Sequence, residues 1–267
     1  QGGDSVPLRI ENLSISHPIF TPNRDGISDR VRIGYYLNKE AARVTVYLVD
    51  RDGLRYPVPE DQIRKMGSQG THEHDYDAGV DLGAQPPPDG EYTVVVEAED
   101  AVGNQARVEA SLTIVNGGVP QVEIVNRAIE WSHRIIRMGD TLTFTCTVQN
   151  IGTVPVRTKG PEPGTLYDMG ENYNTLEQPE EPGIFRVGVD FEGNAGGRRY
   201  PFRWQLGRDD ELTVIDGERY LMPGQTALVT GSVRVSEKMV KVSPYFWGGL
   251  IHESVWIVMD YVENTQI

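Results

Sequence analysis

The sequence predicts an all-β protein built as two tandem immunoglobulin-like β-sandwich domains, the second enlarged by an insertion. Three observations lead there. Apolar and polar residues alternate with a period of two in run after run, as in Arg43-Val44-Thr45-Val46-Tyr47-Leu48-Val49 and Thr141-Leu142-Thr143-Phe144-Thr145-Cys146-Thr147-Val148, which lays one side of an extended strand against a core. Turn dipeptides such as Asp52-Gly53, Asp89-Gly90, Gly103-Asn104, Gly139-Asp140 and Asp216-Gly217 separate the runs at spacings suited to hairpins and sandwich corners. With 29 Gly and 17 Pro spread along the chain, segments of helical period have little room, which favours a sandwich over α/β architecture.

Taken in order, the first half offers strands near 8–15, 29–37, 42–50, 54–58, 71–76, 90–99 and 105–115, a full seven-strand set. The helical candidate is a turn at Glu60 to Lys65. A seam follows at Val115-Asn116-Gly117-Gly118-Val119-Pro120, where a long strand ends, two glycines intervene and a proline opens a new alternation. The expected domains are therefore residues 1–117 and 118–267, in keeping with domain sizes near 100 to 150 residues. The second carries a Pro/Gly/Glu-rich insertion around Pro161 to Gly183 that reads as an ordered loop or lid.

Charge narrows the partners. Against 25 Lys and Arg stand 39 Asp and Glu, a formal net charge of −14, which repels phosphate backbones and anionic lipid. Nucleic acid and membrane insertion are thus not expected, and no stretch approaches the ~18 to 20 apolar residues of a membrane helix. Cys146 is the single cysteine and shares one strand face with Leu142, Phe144 and Val148, which reads as a buried thiol, with an intermolecular bridge as the alternative. Gln1 opens the chain without a starting Met; a mature secreted chain with its leader removed would begin this way, as would an excised fragment. The expected location is extracellular or on the cell surface.

The segment Phe20-Thr21-Pro22-Asn23-Arg24-Asp25-Gly26-Ile27-Ser28-Asp29 resembles the F-(S/T)-P-N-G-D-G-x-x-D opening of the Ig-like domain found in flagellar hook-capping proteins and many bacterial surface proteins. Ala42 to Asp50 followed by Asp52-Gly53 resembles that family's central hairpin, and Pro88-Asp89-Gly90-Glu91-Tyr92-Thr93-Val94 with Ala98-Glu99-Asp100-Ala101-Val102-Gly103-Asn104 resembles its penultimate strand and final turn. The likeness spans roughly residues 8 to 115. Arg24 stands where the family has Gly, and Asp75-Tyr76-Asp77 where it has Trp-Asp-Gly. In the second half, Met138 to Thr145, Val148 to Thr153 and Pro223-Gly224-Gln225-Thr226 resemble bacterial adhesion-type Ig-like repeats. Both resemblances imply spacers, polymer subunits and surface appendages, and neither implies a reaction.

Three groups of side chains are candidate sites. Asn23, Asp25 and Asp29 place oxygen atoms at positions one, three and seven of a loop with Gly26 at its sharp turn, as a calcium loop requires, although the distal bidentate Glu of an EF-hand is missing. Asx side chains in a tight turn more commonly bond their own backbone, so calcium and a plain structural turn both stand as readings. His72 and His74 alternate with Glu73 and Asp75, which sets two imidazoles on one strand face for a transition metal with no third ligand in view; solvent-facing histidines on a marginal strand are the commoner arrangement. His17, His133 and His252 are isolated, and the many carboxylates single out no catalytic pair.

Aromatic residues gather in the second half: Tyr200, Phe202 and Trp204 alternate on one strand, and Tyr245, Phe246, Trp247 and Trp256 lie near the C-terminus. Trp204 and Trp247 are the candidates for stacking on sugar rings or meeting a partner, against the commoner use of such residues in a core. The terminal runs Val6 to Ser16 and Ser254 to Val262 are expected at sheet margins, where unpaired backbone groups recruit further strands. The expected function is a non-catalytic extracellular structural or adhesive protein, a subunit of a filament or array assembled with copies of itself or with other surface proteins. A carbohydrate-binding or spacer region of a secreted enzyme or cell-wall protein is the alternative.

Overall fold

A computed structural model describes residues 6–59 and 65–267. The expected helical turn at Glu60 to Lys65 and the Gln1 to Ser5 extension fall, but for Lys65, outside the described residues. The chain is all-β and divides into two compact units, the first ending at Val119 and the second comprising Pro120–Ile267.

Unit 1 contains β1 (Ile10–Ile15), β2 (Ile19–Phe20), β3 (Val31–Leu37), β4 (Arg43–Val49), β5 (Arg55–Pro57), β6 (Gly70–Tyr76), β7 (Gly90–Glu99) and β8 (Gln105–Ile114). Seven of them fall on the seven expected spans; β2, two residues long, carries no period to read. One sheet runs β1-β3-β6 and the other β2-β8-β7-β4-β5. Their inward residues, among them Phe20, Ile33, Leu37, Leu48, Val94, Val96, Leu112 and Ile114, fill the space between, and their apolar area removed from water drives the packing.

Unit 2 contains β9 (Val122–Ile124), β10 (Glu130–Trp131), β11 (Thr141–Asn150), β12 (Val156–Thr158), β13 (Leu166–Asp168), β14 (Phe185–Phe191), β15 (Phe202–Gln205), β16 (Thr213–Ile215), β17 (Glu218–Leu221), β18 (Thr226–Arg234), β19 (Tyr245–His252) and β20 (Trp256–Gln266). One sheet follows β10-β11-β18-β13 with β9 also on β11; the other follows β16-β17-β12-β14-β19-β20 with β15 on β14. In β11 the alternation is strict: Leu142, Phe144, Cys146, Val148 and Asn150 face inward and the threonines between them do not. Asn150 closes the following turn by donating to Val154 O and Leu221 O and accepting from Gly152 N–H.

The two terminal runs form sheet margins as expected, β1 in unit 1 and β20 in unit 2. Neither margin is a flat template. The β1–β3 register shifts between Glu11 and Ser14, with Asn12 at φ 56°, and β20 shifts repeatedly against β19, with Tyr261 and Glu263 at φ 49° and 50°. Such bulges twist an edge away from a further strand.

Candidate functional site

The loop joining β2 to β3 holds the expected oxygen ligands. It is closed by Thr21, whose N–H donates to Ser28 O at 2.8 Å and whose hydroxyl donates to Ile27 O at 3.0 Å. Inside it, Asn23 Oδ1 accepts from Asp25 N–H, Asp25 Oδ1 from Ile27 N–H at 2.9 Å, and the two oxygens of Asp29 from Asp25 N–H at 3.1 Å and Gly26 N–H at 2.7 Å. Arg24, at φ 56°, occupies a left-handed position, which explains why a glycine suits that place; its guanidinium lies 3.4 Å from Asp81. Burial, reinforced by the neighbouring Asp25 charge, pushes the Asp29 carboxyl up to about 7.

These bonds test the fit of a cation. The oxygens that would ligate calcium accept the loop's own amides, and among the described residues no three acidic, His or Cys side chains converge as a metal site. As folded, the loop braces a sandwich corner. A calcium ion entering it would have to displace the backbone N–H donors from those oxygens and the proton that burial favours on Asp29.

His72 and His74 share a face of β6 as expected, but that face is the interior. Both are buried and stack on the Tyr35 ring of β3, with centroids 5.3 and 5.7 Å away. His72 Nε2–H donates to Ser68 O at 2.6 Å; His74 Nδ1–H donates to Pro59 O at 3.2 Å and its Nε2 accepts the Tyr35 hydroxyl at 3.2 Å. The solvent-facing arrangement is corrected: the two rings pack against a tyrosine that lies far off in sequence, and His72 Nε2 and both nitrogens of His74 are taken up by hydrogen bonds within the unit.

Trp204 is likewise corrected. It is wholly buried, edge-on to Phe144 and Tyr167 with centroids 4.7 and 5.2 Å away, and its Nε1–H donates to Thr165 O. No face of it is open to a sugar. Tyr200 and Phe202 are also fully buried. Trp247 is different: half-buried on β19, it lies 5.0 Å from the exposed ring of Tyr261 on β20 at 35°. With exposed Tyr245 and Trp256, the β19–β20 hairpin displays the aromatic surface of unit 2.

Sequence reasoning missed a buried ionic cluster under the insertion. Arg186 on β14 and Arg203 on β15 both reach Glu253 Oε1, at 2.9 and 3.2 Å. Arg186 Nη1 also donates to the carbonyls of Gln178 and Pro179, Arg203 Nη1 donates to Glu180, and Glu181 N–H donates to Glu253 Oε2. The Arg203 guanidinium lies 4.3 Å from the centre of the Tyr173 ring. The insertion is thus a roof pinned to the outer face of the sheet by two arginines. The signal lay in Phe185-Arg186-Val187 and Phe202-Arg203-Trp204: a charge set inside an apolar strand needs a buried partner.

A cleft of about 290 Å³ opens beside the roof, lined by Met169, Phe191, Glu192, Arg198, Glu237 and Met239. It pairs no nucleophile with a base.

No family model matches the chain, and no curated protein matches it. Among solved structures, a DUF4785 family protein of Legionella pneumophila is similar at 11% identity and TM-score 0.27, over 95% of this chain and 54% of its own. The Yersinia pseudotuberculosis adhesin InvE is similar at 13% identity and TM-score 0.25, over 100% of this chain and 61% of its own. A tetra-tandem repeat from the extending region of a large adhesion protein is similar at 9% and 0.26, over 98% and 66%. The chain spans under two thirds of the length of the first two structures.

Proposed function

We propose that the chain is a non-catalytic structural or adhesive module of a bacterial cell surface, one that works through docking faces and self-association. The observation that carries this reading is where the polar chemistry goes. Asn23, Asp25 and Asp29 hold their own loop, His72 and His74 hold Tyr35 and nearby carbonyls, and Arg186, Arg203 and Glu253 hold the insertion. Groups so engaged stiffen two sandwiches and, among the described residues, leave no activated nucleophile poised for substrate. The resemblance of residues 8 to 115 to surface-protein domains supports the same reading, as does the acidic charge.

Bulges on β1 and β20 favour docking of faces over insertion of a donated strand. Sedimentation velocity and negative-stain microscopy of the full chain at rising concentration test self-association. Ordered arrays are expected. Monomers at every concentration would overturn assembly, and turnover of any substrate in a hydrolase panel would overturn the non-catalytic reading.

A second reading, a carbohydrate-binding surface, is favoured by Trp247 and Tyr261, whose rings reach solvent side by side on one hairpin. Glycan-array binding that disappears in Trp247→Ala and Tyr261→Ala with the fold intact would assign it.

A further inference from the structure

The roof of unit 2 is acidic and the floor beneath it is basic. Arg157 on β12, Arg186 on β14 and Arg203 on β15 alternate with the core residues Val156, Val187, Phe202 and Trp204 and so share the outer face of the sheet, and Lys159 follows at the end of β12. The three guanidiniums are at most 5% exposed. The remainder of the unit gives these cations two carboxylates, Glu218 on Arg157 at 3.0 Å and Glu253 on Arg186 and Arg203. Four cations against two anions leave a surplus of two. The roof brings two more: Glu181 lies 2.9 Å from Arg157 and 3.2 Å from Lys159, and Glu180 lies 2.8 Å from Arg203.

The floor also reads the backbone of the segment between Gln178 and Pro182. Arg186 Nη1 donates to the carbonyls of Gln178 and Pro179 at 3.0 and 3.3 Å, Arg157 Nη1 donates to Pro182 O at 3.3 Å, and Glu253 Oε2 accepts Glu181 N–H at 2.8 Å. Every residue from 178 to 182 is therefore touched at a carbonyl, an amide or a carboxylate. Gln178 and Glu181 each precede a proline, which confines them to extended backbone, and the prolines fix their own φ. A segment so restricted loses little conformational freedom on docking, as a peptide ligand should.

What holds the roof down is polar. From Asn174 to Pro182 no residue is buried, and Leu176 alone packs part of its side chain against the core. Glu180 is 47% exposed and Lys159 48%, so the rim contacts are open to water and to salt. An element with few buried apolar contacts opens at a lower free energy than the sandwich under it. The roof also leaves one donor of the floor unused: Arg186 Nη2, wholly buried, finds no acceptor among the described residues.

We infer that the roof is an internal stand-in for a ligand: the floor of Arg157, Lys159, Arg186 and Arg203 is a groove for an extended acidic segment of a partner protein, two adjacent carboxylates set between prolines, and residues 178–182 keep it closed until that segment displaces them. This rests on the reading of the chain as a docking module and names the chemistry of what docks.

A fluorescent synthetic peptide of residues 174–184 is the probe, titrated by anisotropy into the native chain and into a full-length variant whose residues 175–182 are replaced by a Gly-Ser linker of equal length. The tethered roof competes at the high effective concentration of a short linker, so the variant is expected to bind the peptide at least about tenfold more tightly than the native chain does. A peptide carrying Glu180→Gln and Glu181→Gln is expected to lose at least about tenfold, and added salt to weaken the native peptide. Protection of Cys146 from thiol reagents shows that the variant's sandwich stands. Should it not stand, Glu180→Gln with Glu181→Gln in the full chain loosens the roof and spares the floor, and this chain is expected to take up the native peptide more tightly than the unaltered one. A folded variant that ignores the peptide, or binds both peptides alike, would overturn the groove. A dimer of the native chain that the peptide dissolves would make a second copy the occupant and overturn the partner's segment. Absent peptide binding by a chain that still assembles or adheres defeats the groove alone; peptide binding by a chain that turns over a substrate defeats the surface reading alone.

Discussion

Arg186 and Glu253 meet at 2.9 Å with both side chains wholly removed from solvent. Burial is the largest influence on each, pressing the carboxyl upward and the guanidinium downward, against the attraction between them. Such a pair contributes little net stability, but breaking it is costly, because the survivor is a buried charge with no counter-charge.

Glu253→Gln is therefore expected to destabilise unit 2 by roughly 3–5 kcal/mol, as two guanidiniums lose their shared carboxylate. The loss should be largest locally, since Glu253 also accepts Glu181 N–H, and Arg186 holds the Gln178 and Pro179 carbonyls. Hydrogen exchange across residues 172–183 measures this: faster exchange there than in β11 is the expected pattern.

How much was legible follows from the range of each signal. Strand positions in unit 1 were readable because burial on one face writes a period of two into the local sequence, and β11 shows the same in unit 2. Period also placed His72 and His74 on a common face, but which side that face took depends on Tyr35, whose neighbourhood to β6 is set by pairing across the sheet. Trp204 was ambiguous for a related reason. An aromatic on a strand reads alike in a core and on a platform, and its burial follows from Gly231 on β18, where a Cβ would overlap the indole. The Asn23–Asp29 loop was legible as a turn because Asx bonding is local. The hydrogen bonds that tie Asn23 to the segment after β8 in unit 1, and Arg127 and Trp131 to β20 in unit 2, join residues more than 90 and more than 130 positions apart, beyond what any local pattern encodes.

Asp29 makes stability depend on pH. Its folded value of about 7 lies above the unfolded 3.8, so the native state holds a proton that the unfolded chain has released. That stability is fully present below the unfolded value and is lost as pH rises through about 7. The melting temperature in chelator is expected to fall between about pH 5 and about pH 8, and Asp29→Asn to flatten that fall while lowering the melting point at pH 5, because one carbonyl oxygen replaces two acceptors. Calcium favours the ionised form. A rise in melting temperature with millimolar calcium at pH 8 and none at pH 5 would assign the ion to this loop; no rise at either leaves turn-bracing as its role.

The two candidate tryptophans should part company under substitution. Trp204→Ala empties the centre of the unit 2 core and orphans Thr165 O, for an expected loss of about 3–5 kcal/mol in urea unfolding. Trp247→Ala removes a half-exposed ring resting on Tyr261, for an expected loss within about 1 kcal/mol. Similar losses at the two sites would mean that the Trp247 ring is part of the core and would remove it as a ligand surface.

Cys146 closes the question of an intermolecular bridge. It faces the core from β11, which is paired with β18 along its length on one side and with β9 and β10 on the other. Burial pushes its thiol up to about 12, so thiolate, the form that attacks a disulfide, is scarce at neutral pH. Scarcity and inaccessibility act in series: a reagent must wait for opening of the sheet and then meet a thiol of ordinary reactivity. Labelling by an aromatic disulfide is therefore expected to be negligible in the native protein and complete in denaturant, with an intermediate rate in mild urea that follows the free energy of opening unit 2. Glu253→Gln should speed it in proportion to its loss of stability if β11 is exposed only when the whole unit opens. Rapid native labelling, or a disulfide-linked dimer formed under mild oxidation without loss of fold, would place the thiol within reach of solvent and contradict the packing of β11.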